Sequence, residues 1–123
     1  MAKVTGLGGI FFKSRDPKAL ADWYARHLGL PVDDWGGVRF DEDASRPGYT
    51  LWSPFGADTE YFGPGPHPYM VNFRVDDLHA LLAQLRAAGI TVDERVEESE
   101  YGRFGWITDP EGTRVELWQP PSK

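Results

Sequence analysis

The sequence predicts an α+β fold: two βαβββ modules whose strands share one cup-shaped mixed sheet, with both helices on its outer face. Three observations predict it. The chain repeats itself, since "IFFKSRDPKALADWYARHLGLPVD" and "VNFRVDDLHALLAQLRAAGITVD" share the order strand, helix, Gly, strand. Phe12, Asp16 and Leu20 align with Phe73, Asp77 and Leu81 in one register, and Gly29 with Gly89 after a single deletion. Each repeat holds an amphipathic helical stretch opened by Asp and stopped by Gly. Short strands bounded by Gly and Pro follow, and "YTLWSP" in the first half matches "VELWQP" in the second.

The first strand, about residues 9–13, alternates so that Ile10 and Phe12 face the helix while Gly9, Phe11 and Lys13 face the cup. Asp16 caps the first helix with Pro17 at its opening position. Leu20, Trp23, Tyr24 and Leu28 form its apolar face, and Gly29 ends it. Strands are expected at about 36–41 and 49–53, the latter turning Leu51 to the helix and Thr50 and Trp52 to the cup. Between the modules "SPFGADTEYFGPGPHP" shifts in composition and reads as a linker. One domain, 1–123, then divides into module one at about 4–54, a linker at about 55–68 and module two at about 69–120.

In module two, Val71, Phe73 and Val75 face the helix, and Met70, Asn72 and Arg74 face the cup. The second helix follows Asp77, presents Leu78, Leu81, Leu82 and Leu85 on one face, and stops at Gly89. Strands are expected over 90–96, 103–108 and 113–118, the last two joined as a hairpin by "DPEG". On the closing strand Val115 and Leu117 point to the helix, so Glu116 and Trp118 point into the cup.

Composition narrows the function. At 123 residues with 41% hydrophobic and 14% aromatic content, the chain can build one core unaided. A formal net charge of −6 without a basic run argues against nucleic acid and anionic membranes, leaving a small molecule as the expected partner. Cysteine is absent, which removes disulfides and thiolate metal sites. With no long apolar stretch at the start, the expected location is cytoplasmic.

Glu116 poses the chemical question, because a carboxylate among Val115, Leu117 and Trp118 costs several kcal/mol unless something compensates it. Arg103, Arg114 or Arg74 across the strands would make it a structural ion pair; otherwise it serves a ligand or a reaction. Trp52 and Trp118 occupy equivalent places in the repeat and could clamp a flat or apolar ligand. Lys13 and Arg74, also equivalent, would favour an anionic group at the cup's edge. His67 is the one histidine near the cup, whereas His27 and His79 read as surface residues of the helices.

The stretches "RDP…ALADWYARHLGL", "FRVDDLHALLAQLRAAGI" and "DPEGTRVELWQP" resemble the vicinal oxygen chelate superfamily, which includes glyoxalase I, bleomycin-resistance proteins and extradiol dioxygenases. The resemblance implies metal-ligand positions at Gly9, Thr50, Met70 and Glu116, of which only Glu116 suits a hard cation. No metal and no cofactor are therefore expected, with a His67–Glu116 site as the alternative. The resemblance further implies a homodimer. Two functions follow: a bleomycin-resistance-like binder of a small aromatic or amphiphilic molecule, its site formed by Phe11, Lys13, Thr50, Trp52, Met70, Asn72, Arg74 and Trp118, or a glyoxalase-like lyase or isomerase with Glu116 as catalytic base.

Overall fold

The computed structural model of the chain describes residues 2–3 and 7–122, so the expected start of module one at residue 4 lies outside them. Helix α1 (Pro17–Leu28) forms where Asp16 accepts a hydrogen bond from the Ala19 amide at 3.1 Å, and it ends at Gly29, whose φ of 71° suits a residue without a Cβ. Strand β1 (Val71–Arg74) leads into α2 (Leu78–Ala87), capped in the same way by Asp77 on the Ala80 amide. Then come β2 (Glu97–Ser99), β3 (Gly102–Thr108) and β4 (Arg114–Gln119).

The four strands make one mixed sheet in the order β1-β4-β3-β2, with β1 parallel to β4 and the other pairs antiparallel. One sheet face packs on α2. Leu78, Leu82 and Leu85 meet Ile107, Val115 and Leu117, all at most 1% exposed. The helix comes so near that a Cβ on Gly105 would lie 3.1 Å from Leu82 Cδ1. As expected, Phe73 and Val75 join this face, whereas Glu116 and Trp118 take the other.

The hairpin turn between β3 and β4 also holds α1. Asp109 Oδ1 accepts from the amides of Glu111 and Thr113, both at 2.9 Å, which fixes the turn, and its Oδ2 accepts from the Tyr24 hydroxyl at 2.7 Å. Burial, then the bond to Asp109, pushes the Tyr24 hydroxyl far above its ordinary pKa, so it remains a donor. Glu111 Oε2 accepts from Ser14 Oγ at 2.7 Å, and the Arg15 and Asp16 amides also donate to this carboxylate at 3.3 Å, which lowers its pKa.

Module one departs from expectation in detail. Only its helix forms; segments 9–13, 36–41 and 49–53 carry no strand among the described residues, and the four-stranded sheet belongs to module two. Ile10 and Phe12 are each 53% exposed and Leu51 is 71% exposed, so the helix-facing sides assigned to them are not buried. A strand holds its shape through a ladder partner, and none of these segments pairs with the open outer edge of β1 or of β2. The strand expected over 90–96 reduces to a single bridge, Val92 to Ile107, before β2 begins. No helix among the described residues is long and apolar enough to cross a membrane.

Because Leu82 is 1% exposed within the α2 contact, Leu82→Ala should lower the unfolding free energy by about 2–5 kcal/mol in urea titration, with the far-ultraviolet spectrum of the native state unchanged.

Candidate functional site

Glu116 sits at the centre of β4 and is 7% exposed. Register places Asn72 of β1 on one side of it and Trp106 of β3 on the other. Asn72 Nδ2 donates to Oε1 at 2.7 Å, and Trp106 Nε1 donates to Oε2 at 3.0 Å. A third donor, the Tyr61 hydroxyl, also bonds Oε2. The buried carboxylate is thus compensated by hydrogen bonds to a charged acceptor, which are the stronger kind.

All three donors are neutral, so of the two alternatives for Glu116 the ion pair with an arginine does not form. Arg114 Nη2 lies 3.2 Å from Asp93, and Arg103 Nε lies 3.7 Å from Glu98. The guanidinium of Arg114 stands 5.4 Å from the Trp106 ring centre and that of Arg95 stands 5.6 Å from it. Positive charge therefore meets the face of the indole whose N–H serves Glu116. Asp93 is held below its ordinary pKa by the Arg95 amide first, and by Arg114 as well.

Tyr61 comes from the segment read as a linker. Its ring stacks on Phe55, with centroids 5.6 Å apart and planes 17° apart, and stands edge-on to Trp106 at 6.0 Å. Gly63, with φ of 82°, turns the chain after it, and a Cβ there would meet Arg114 Cδ at 3.1 Å. The segment consequently lies against the strand face. Burial, then the bond to Glu116, pushes the Tyr61 hydroxyl up to about 12.

The other sequence-named residues divide into two groups. Trp118 shares the face with Glu116 and is 4% exposed; its Nε1 donates to the Tyr101 carbonyl at 2.7 Å, and its ring stacks on Phe104 and contacts Tyr49. Met70 is half-buried, and Asn72 and Arg74 are exposed at the β1 edge. Phe11 is 98% exposed and Trp52 is 81% exposed, on segments without strand pairing, where Lys13 and Thr50 are exposed too. Trp52 makes no ring pair with Trp118 among the described residues. His67 stands edge-on to Tyr69. Trp106 was missed, although strand alternation counted outward from the hairpin turn places it opposite Glu116. Tyr61 carried no sequence signal beyond the aromatic density of "EYFG".

The donor chemistry does not fit a metal. Both Glu116 oxygens already receive N–H or O–H groups, whose positive ends point where a cation would sit. Among the described residues no three His, Asp or Glu side chains are grouped to hold an ion.

The raised Tyr61 pKa has a defined sign. The native state keeps a proton that the unfolded chain releases near pH 10, so its stabilising contribution is complete below pH 10 and is lost as pH rises towards about 12. Tyr61→Phe should make the fall in unfolding free energy above pH 10 shallower than in the parent, measured by denaturation at a series of alkaline pH values.

A structure from Frankia sp. EAN1pec, described as a glyoxylase/bleomycin resistance protein/dioxygenase domain, is 15% identical with a TM-score of 0.59, over 97% of this chain and 100% of that one. TnmS3, an antibiotic binding protein from Streptomyces sp. CB03234, is 25% identical with a TM-score of 0.53, over 88% of each chain. Against glyoxalase I of Leishmania major the match covers 47% of this chain and only 40% of that one, at 21% identity and a TM-score of 0.38. No curated protein matches the sequence. The family model of the glyoxalase-like domain matches residues 9–118, and with its helices and mixed sheet arranged as described, the chain belongs to the glyoxalase-like domain family of the vicinal oxygen chelate superfamily.

Proposed function

We propose that the protein binds a small aromatic or amphiphilic molecule on the sheet face that carries Glu116, without a catalytic metal. The observation that carries this reading is a buried carboxylate set among aromatic rings and served only by neutral donors. Trp106 and Trp118, 1% and 4% exposed, flank one fixed polar anchor, so a ligand reaches this face when the segment carrying Tyr61 moves aside; apolar walls around a few polar groups are the usual composition of a small-molecule site. The similarity to an antibiotic binding protein at 25% identity supports the same reading. Trp106 and Trp118 are the fixed floor once uncovered, and Phe11 and Trp52, exposed on segments without strand pairing, are the aromatic groups free to add a second wall. Burying a large aromatic group contributes about 1.5–3 kcal/mol, against at most about 1 for an ion pair open to water.

The depth of Glu116 also favours a second reading, a lyase or isomerase with this residue as general base. That role requires a free oxygen lone pair beside the substrate, so the Tyr61 hydroxyl would have to leave Oε2.

A panel of aromatic and amphiphilic compounds, screened by tryptophan fluorescence and thermal shift, separates the two. For a binder, Trp52→Ala should weaken the best ligand about tenfold while leaving the fold intact, and Glu116→Gln should weaken it less. Turnover that depends on pH and disappears in Glu116→Gln would establish the enzyme instead.

We infer also that the protein is a homodimer. Five large apolar side chains of the first half, Leu7, Ile10, Phe12, Phe40 and Leu51, are 49–71% exposed, and a partner chain would cover them. Sedimentation equilibrium should give twice 13.8 kDa; a species of 13.8 kDa at every concentration would overturn this.

A further inference from the structure

We propose that Tyr61 fills, from within the chain, the place that a phenolic ligand takes on Glu116, so that the site selects neutral aromatic molecules bearing a hydroxyl donor. This rests on the ligand-binding reading of the same face and names its ligand class.

The geometry around Tyr61 is that of a bound phenol. Its ring lies flat against Phe55 and edge-on to Trp106, and its hydroxyl ends on Glu116 Oε2. The three donors to the carboxylate are not held alike. Asn72 and Trp106 belong to paired strands and are fixed by register. Tyr61 belongs to a stretch with neither helix nor strand, punctuated by Gly63, Pro64, Gly65 and Pro66. One donor in three is therefore on a segment that can be displaced without breaking the sheet.

What replaces it must satisfy the same acceptor. An ionised carboxylate only accepts hydrogen bonds, so a ligand without a donor would leave Oε2 with one bond fewer in a buried site. A cationic aryl-amine would also supply donors, but the group that holds this place within the chain is a neutral phenol, and the arginines beside Trp106 are already paired, Arg95 with Glu97 and Arg114 with Asp93. A phenolate would face Glu116 directly, charge against charge. The raised pKa of Tyr61 agrees, since a phenol placed here keeps its proton. A neutral phenol supplies the donor in the ring geometry that Tyr61 already shows.

The test empties the place and offers the group back. Tyr61→Ala, checked for native unfolding behaviour, is titrated by calorimetry with 4-methylphenol, its methyl ether and toluene. The expected result is that 4-methylphenol binds at least tenfold tighter than either of the others and at least tenfold tighter than it binds the parent, where Tyr61 competes. Adding Glu116→Gln should shrink the preference to about threefold or less. Should Tyr61→Ala not fold, Tyr61→Phe removes the internal hydroxyl and leaves a weaker competitor; it should bind 4-methylphenol at least threefold tighter than the parent does, and at least tenfold tighter than it binds toluene. Equal binding of the three compounds to Tyr61→Ala, or no gain in Tyr61→Phe, overturns the proposal. If aromatic compounds of the wider panel still bind the parent in that case, the ligand-binding reading stands without it; if no aromatic compound binds the parent or the variants, both fall.

Discussion

The contact of α2 with β3 and β4 is the constraint from which the other features follow. Leu78, Leu82 and Leu85 must meet Ile107, Val115 and Leu117, and strand alternation then leaves Trp106, Glu116 and Trp118 no choice of side. A slip of one residue would drive Glu116 into the leucines and bring Val115 and Leu117 to the opposite face. The core thus specifies the position of the carboxylate as firmly as it specifies its own packing. The neighbours of Glu116 inherit the same certainty, because Asn72 and Trp106 are its register partners on either side.

Around this core the first half of the chain is attached through α1, by polar groups as well as by apolar ones. The "DPEG" turn gathers the Tyr24 hydroxyl, the Ser14 hydroxyl and two amides at the start of α1. Two carboxylates, Asp109 and Glu111, thus add directional anchors to the packing of Trp23, Tyr24 and Leu28 of α1 against the core. Hydrogen bonds of this kind are directional, so they fix the orientation of α1 while contributing less free energy each than a buried leucine. Ring contacts such as Tyr24 with Phe73 add to them.

Both helices and their caps were legible in the sequence because their signals are local: an Asp, an apolar period of 3.6 and a Gly suffice at Asp16 and Asp77. The faces of β1 and β4 were legible too, since alternation needs only neighbouring residues. Strands in module one were not, because the alternation of "GIFFK" says nothing of whether a partner is available, and pairing is a long-range property. The partners of Glu116 were hidden for the same reason. Arginine was the natural guess for a buried carboxylate, yet a neutral tyrosine from a distant linker and an indole from the adjacent strand supply the bonds. Charge complementarity can be read along a sequence, whereas the convergence of neutral donors depends on how the chain returns upon itself.

The dependence of α1 on the hairpin turn gives synthesis and folding opposite directions. Residues 78–119 hold α2, β2, β3 and β4, whose contacts are close along the chain and form without waiting for the rest. The docking point of α1 lies within that stretch, nearly a hundred residues beyond Ser14. At roughly 5–20 residues per second, the ribosome releases the aromatic-rich first half several seconds before the turn exists to receive it. During that interval the segment from Phe11 to Trp52 has no native surface to lie on.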